Sequence, residues 1–173
     1  WKFTGLPVAS SHLDYIGDYF NKENDDFIID AMQLNNGDIA CLSAKNVMYI
    51  VDQATGHYKS RMKVHYNSYS SVQILCVDEH DNVVLSNMSR GILVYDTKNH
   101  KLNSHELNNQ PVFSAKAFNG KLLTISRGGA LEIWDSSYQL LKSVQSVGQF
   151  TNYVSICKNG DILIPQLTDK SHC

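Results

Sequence analysis

AFNGKLLTISRGGALEIWD, residues 117–135, is the stretch whose reading decides the fold. Asn119-Gly120 is the strongest short hairpin signal, because both central residues of a type I′ turn need positive φ. An apolar run follows and ends in Ser126; Gly128-Gly129 supplies a second turn. A further alternating run ends in Trp134-Asp135. Two tight turns between short runs of β-formers predict consecutive antiparallel strands.

The same grammar recurs on both sides. Turn signals stand at Asn36-Gly37, Asp81-Asn82, Asn119-Gly120 and Asn159-Gly160, so that Gly37 to Asn82 is 45 residues, Asn82 to Gly120 is 38, and Gly120 to Gly160 is 40. Asp52, Asp96 and Asp135 close the later runs, 44 and 39 residues apart. Ser43, Ser86 and Ser126 precede those acids by nine, ten and nine residues. Three sets of anchors in one register mark a repeat, the first feature to seek at such periods. Each unit reads as four strands: 31–34, 39–43, 47–51 and 58–64; then 72–77, 83–86, 92–95 and 102–107; then 112–118, 122–126, 131–134 and 140–144. Residues 153–164 start a fourth unit that stops after two strands.

A four-stranded meander of about 40 residues cannot bury both faces alone, and radial stacking of such sheets builds a β-propeller. Here the chain resembles the WD-repeat family over residues 27–168, through LEIWD (131–135), ILVYD (92–96) and MYIVD (48–52). DQATGHYKSRM and DTKNHKLNSHEL, which follow two of these, resemble the family's hairpin into its outer strand. The resemblance implies an all-β propeller of four-stranded antiparallel blades, incomplete as given. In the family a Gly-His histidine, a Ser or Thr, an Asp and the Trp share a buried network. Ser43, Ser86, Ser126 and Trp134 map onto that pattern; the Gly-His pair is absent, and His65 and His105 merely end their units. The chain therefore resembles a degenerate member or a related propeller, such as the quinoprotein-like type. The aligned serines are expected to be structural groups at strand ends.

The expected blades are about 27–68, 69–109, 110–150 and a half blade at 151–168, within a propeller region of 27–173. Residues 1–26 differ. Leu13, Ile16 and Phe20 recur at helical spacing within 9–20, and the polar run NKENDD (21–26) reads as an acidic linker. That run lacks the Gly and Glu positions of an EF-hand loop. A faint similarity of Leu6-Pro7 and Ile16 to an F-box start would imply a ubiquitin-ligase substrate receptor. Three and a half units do not close a ring, so a longer native chain, a second chain, or residues 1–8 are the expected sources of the missing strands.

Composition narrows the function classes. The formal net charge is −2, so no bulk attraction to nucleic acid or an anionic membrane is expected. No apolar run approaches the ~20 residues of a spanning helix. Cys41, Cys76 and Cys157 sit in apolar runs and match no zinc spacing, which fits buried hydrophobes in an intracellular, cytoplasmic protein. No nucleotide-binding, metalloprotease or serine-hydrolase motif occurs. Asp78-Glu79-His80-Asp81, His57, His80, His100 and His105 are expected in solvated turns, and Asn87-Met88-Ser89 as an ordinary turn. No catalytic residue, metal ligand or cofactor site is expected.

What remains is a surface. The loops joining second to third strands, and blade to blade, share one propeller face. There Lys45, Tyr66, Tyr69, Met88, Arg90, Gln110, Arg127 and Phe150 are the candidate partner contacts, because aromatic residues, Met and Arg anchor interfaces. The function expected is a non-catalytic scaffold or adaptor inside a larger assembly. The alternatives are a ligand-binding or enzymatic propeller with a site on its axis, and the substrate receptor.

Overall fold

The computed structural model describes residues 27–64, 72–86, 91–105, 110–126, 128–144, 154–157 and 159–163. The expected helix and linker in residues 1–26 lie outside them. The described part is β-structure throughout. The first sheet holds β1 (Ile28–Gln33), β2 (Ile39–Ser43), β3 (Val47–Val51) and β4 (Tyr58–Lys63) in that order. The second holds β5 (Ile74–Val77), β6 (Val83–Ser86), β7 (Ile92–Asp96) and β8 (Lys101–His105), and the third β9 (Val112–Phe118), β10 (Lys121–Ser126), β11 (Leu131–Asp135) and β12 (Leu140–Val144). A short hairpin of β13 (Ser155–Ile156) and β14 (Ile162–Leu163) follows. Every pair within a sheet is antiparallel, so each sheet is a meander.

One hairpin geometry repeats. In the turn after β1, Leu34 N–H donates to Asp38 O and Gly37 N–H to Leu34 O, and Gly37 has φ +94°. The same two bonds recur at Asp78, Ser126, Asp135 and Cys157, with Asp81, Gly129, Tyr138 and Gly160 at positive φ. This is the three-residue loop with a left-handed fourth position. It corrects the type I′ expectation at Asn36-Gly37 and Asn159-Gly160, where only the glycine is left-handed. At Asn119-Gly120 both residues are, with φ +46° and +68°.

Strand alternation sorts apolar side chains onto two faces. Leu42, Met48 and Ile50 from the first sheet meet Val83, Leu85, Leu93 and Tyr95 from the second. Val84, Ile92 and Val94 leave the second sheet's other face to meet Ala115, Leu122 and Trp134 from the third. Leu123, Ile125 and Leu131 meet Val154, Ile156 and Ile162. The sheets therefore stack as consecutive blades, with each core lying between neighbours. Asp30, on β1, ties the innermost strands by accepting Ile74 N–H at 3.0 Å. On the face of the first blade turned away from the second, Val47, Tyr49 and Val51 are also buried. Cys41, Cys76 and Cys157 are free. Burial pushes the Cys41 thiol up to about 11 and the Cys76 thiol to about 12.

Candidate functional site

Of the expected partner contacts, Lys45 and Gln110 fall among the described residues; Tyr66, Tyr69, Met88, Arg90, Arg127 and Phe150 lie outside them. Lys45 is exposed in the turn between β2 and β3. Gln110, also exposed, precedes β9, and its carbonyl accepts Gly91 N–H at 3.2 Å. Its side chain lies so close to Gly128 that a Cβ there would come within 2.6 Å of Oε1.

The recurring serines do act at strand ends. Ser43 Oγ accepts Val47 N–H at 3.2 Å, Ser126 Oγ accepts Ala130 N–H at 3.3 Å, and Ser86 Oγ accepts Gln73 N–H at 3.0 Å. They are not the tryptophan's partner, which corrects the mapping drawn from the family pattern. Trp134 Nε1–H donates to Thr124 Oγ1 at 3.0 Å in a buried bond. Thr124 lies two residues before Ser126, on the same face of β10, and a residue at Ser126 lies too far along the strand from Trp134. The recurring aspartates hold the outer turns. Asp52 Oδ1 accepts the amides of Ala54 and Thr55, Asp96 Oδ1 those of Lys98 and Asn99, and Asp135 Oδ1 those of Ser137 and Gln139. Asp52 and Asp38 also grip Lys59 Nζ, at 3.0 and 2.8 Å. The Lys59 ammonium, with the Thr55 groups, pulls the Asp52 carboxyl down to about 2.

The same end of the blades, opposite the loops that join second to third strands, holds a further polar arrangement. The turn Asp78-Glu79-His80-Asp81 was expected to be merely solvated; it instead joins three blades. Towards the first blade, Asp81 Oδ1 accepts Asn35 N–H, and Asp78 O accepts Asn35 Nδ2–H at 2.8 Å. Towards the third, Glu79 Oε2 accepts Gly120 N–H at 2.9 Å and Asp78 Oδ2 accepts the Tyr138 hydroxyl at 2.7 Å. Gly120 suits this approach, since its φ is positive and a Cβ would come within 3.1 Å of Glu79 Oε1. Tyr138 has φ +60°, in a hairpin position held elsewhere by Gly or Asp. Its ring lies 4.9 Å from that of His105, which is therefore half-buried rather than solvated. Burial lowers the His105 pKa; burial and the Asp78 carboxylate raise that of Tyr138.

Between these turns lies a cleft of about 180 Å³. Val77, Ala117, Phe118 and Leu122 give it an apolar side, while Asp78, Glu79, Asp135 and Lys121 supply charge around it. No residue in this cleft was singled out as a site from the sequence. The signal was Tyr138, in the turn position that Gly56 and His100 hold in the first two blades. Among the described residues no group of His, Cys, Asp and Glu is placed to hold a metal ion, and no helix is long and apolar enough to cross a membrane.

No protein-family model matches the chain, and no curated protein matches it in sequence. Solved structures match its fold. A chain of the structure titled "Crystal Structure of Mitotic Checkpoint Complex" aligns with a TM-score of 0.68 at 14% identity, covering 83% of this chain and 45% of that one. The structure of the RRP9 WD40 repeats aligns with a TM-score of 0.58 at 11% identity, covering 69% and 38%. The chain thus spans less than half the length of each solved chain. With its stacked antiparallel meanders, it has the fold of a WD-repeat-like β-propeller.

Proposed function

We propose that this protein is a non-catalytic interaction scaffold, acting within a larger intracellular assembly. Its partner is a protein, not nucleic acid or membrane, bound by the loops that join second to third strands and blade to blade. Lys45, Tyr66, Tyr69, Met88, Arg90, Gln110, Arg127 and Phe150 are the proposed contacts. The observation that carries the reading is the use made of converging polar groups. Asp78, Glu79, Asp81, Asn35 and Tyr138 spend hydrogen bonds on holding blades together, which makes a stiff frame for variable loops. Stiffness supports affinity because less ordering entropy is lost on binding. The likeness to a chain solved in a mitotic checkpoint complex supports an assembly role. Cys41, Cys76 and Cys157, free among the described residues, support a reducing compartment.

The test is quantitative affinity capture with the full chain and a Tyr66→Ala, Tyr69→Ala, Arg90→Ala variant. Anchor residues at interfaces are worth about 2 kcal/mol or more each, so captured proteins should fall at least about 30-fold while the melting curve is unchanged. Undiminished capture by the variant would overturn the reading.

A further inference from the structure

We propose that residues 9–20 of this chain dock on the outer face of the first blade and seal that end of the blade array. Val47, Tyr49 and Val51 point away from the second blade, yet Tyr49 is only 3% exposed and Val47 only 6%. Among the described residues, the apolar cluster on this face draws on the first sheet alone, with Ile28, Ile39 and Cys41 as its other members. The cover is narrow. By register, Ala31 and Gln33 on β1 and Arg61 and Lys63 on β4 point to the same side, and all four are exposed. A stacked blade covers the flanks as well: against the third blade, Leu75 on β5 and His105 on β8 are half-buried. The cover on the first blade therefore spans two strands, not four. Strands lie about 4.8 Å apart and a helix is about 10–12 Å across, so one helix fits the strip.

The sequence offers one such segment within reach. Leu13, Ile16 and Phe20 recur at helical spacing in residues 9–20. A helix of that length is about 18 Å long, against about 17 Å for the 5 residues of β3. Residues 21–26 span at most about 20 Å. They lead to Phe27, whose carbonyl accepts Ala44 N–H at the end of β2 in this same sheet. Residues 65–71 are tethered between the first and second blades, while 145–153 and 164–173 follow β12 and β14, at the far end of the array. Charge agrees with the assignment. Asp14 and Asp18 share one flank of the apolar stripe, and Arg61 and Lys63 line one flank of the strip. Repeat arrays need a cap that is polar outside, and Ser11, Tyr15 and Asp18 fall on the side away from the stripe. Docked in this way, the segment keeps a further blade or a second copy off this face, and its stripe is not offered to another protein. The inference stands apart from the scaffold reading, which concerns the loops.

Cys41 supplies the test, because it lies on the covered face, opposite Tyr49 in the middle of β2. Cys76, packed between the second and third blades, is the internal control. Full-chain Ile16→Cys under mild oxidation should give a disulfide from residue 16 to Cys41, located by peptide mass spectrometry. Tyr15→Cys, turned off the stripe, should not. In a second arm, Ile16→Asp places a carboxylate against the apolar strip. Alkylation of Cys41 by iodoacetamide should then rise at least about tenfold, the factor that each 1.4 kcal/mol of lost docking gives. Cys76 should stay as slow as in the wild type. No link to Cys41, or equal linking from position 15, would overturn the assignment, as would unchanged Cys41 alkylation in Ile16→Asp. Equal acceleration of Cys41 and Cys76 would also overturn it, by placing Ile16 in a core common to all blades rather than in a separable cover.

Discussion

Thr124 and His105 show how single side chains set the stability of this fold. Thr124 gives the Trp134 indole N–H its buried partner. Thr124→Val leaves that donor unsatisfied, and should cost about 1–3 kcal/mol in urea unfolding. Ser126→Ala leaves the Trp134 bond intact and takes from Ala130 N–H a longer buried bond of 3.3 Å, and should cost about 1 kcal/mol. The reverse order would return the tryptophan's partner to Ser126. His105 is held neutral by its burial, with a folded pKa below the ordinary 6.5. As pH falls through 6.5 the unfolded chain binds the proton first, so this group's contribution to stability declines until the lowered folded value is passed. His105→Phe keeps a ring against Tyr138 and removes the titration. Its urea midpoint should fall less than the wild type's between pH 7.5 and 5; parallel profiles would refute the assignment.

At the scale of the element, the outer strands are unequal. β4 places Lys59, Arg61 and Lys63 along its edge, the usual guard against edge-to-edge pairing. β12 instead leaves Leu140, Leu141 and Val144 exposed. Replacing Leu140 and Leu141 with Lys should reduce self-association in sedimentation velocity, with a stability change of about 0.5 kcal/mol or less per site. Unchanged association would show that this strand is not the sticky edge. The strands themselves were largely legible in the sequence. β2, β3, β6, β9 and β12 match the expected bounds, because runs of β-formers between Asn, Asp, Ser and Gly leave little freedom. β1 begins at Ile28, three residues earlier than expected. Its first half contains Asp30, which reads as linker until its bond to the next blade is seen. Turn type was less legible, since an Asn-Gly pair serves both a type I′ turn and a three-residue loop, and strand register chooses between them.

For the whole molecule, the cleft was illegible because it depends on residues distant in sequence. Asn35, Asp78, Glu79, Gly120 and Tyr138 belong to three blades, and each has a sufficient local reading as a turn residue. Only the stacking of blades reveals the joint. Repeat arrays are held by nearest-neighbour terms, so weakening one junction should uncouple one side. Asp81→Gly suits the left-handed backbone and removes the carboxylate that accepts Asn35 N–H, leaving the Asn35 side chain on Asp78 O; native-state hydrogen exchange should then show β1 to β4 opening at lower free energy than β5 to β12. Glu79→Ala should instead release β9 to β12. Uniform loss of protection in either variant would mean that the junctions are not separable. The turn at Asp78 has a genealogical consequence too. Propeller repeats multiply by copying, which requires a unit that fits beside any sibling. A unit whose one turn is cut to fit Asn35 on one side and Gly120 with Tyr138 on the other has lost that freedom. Duplicating or shuffling it would strand carboxylates against strangers, so its place in the order is now inherited rather than chosen.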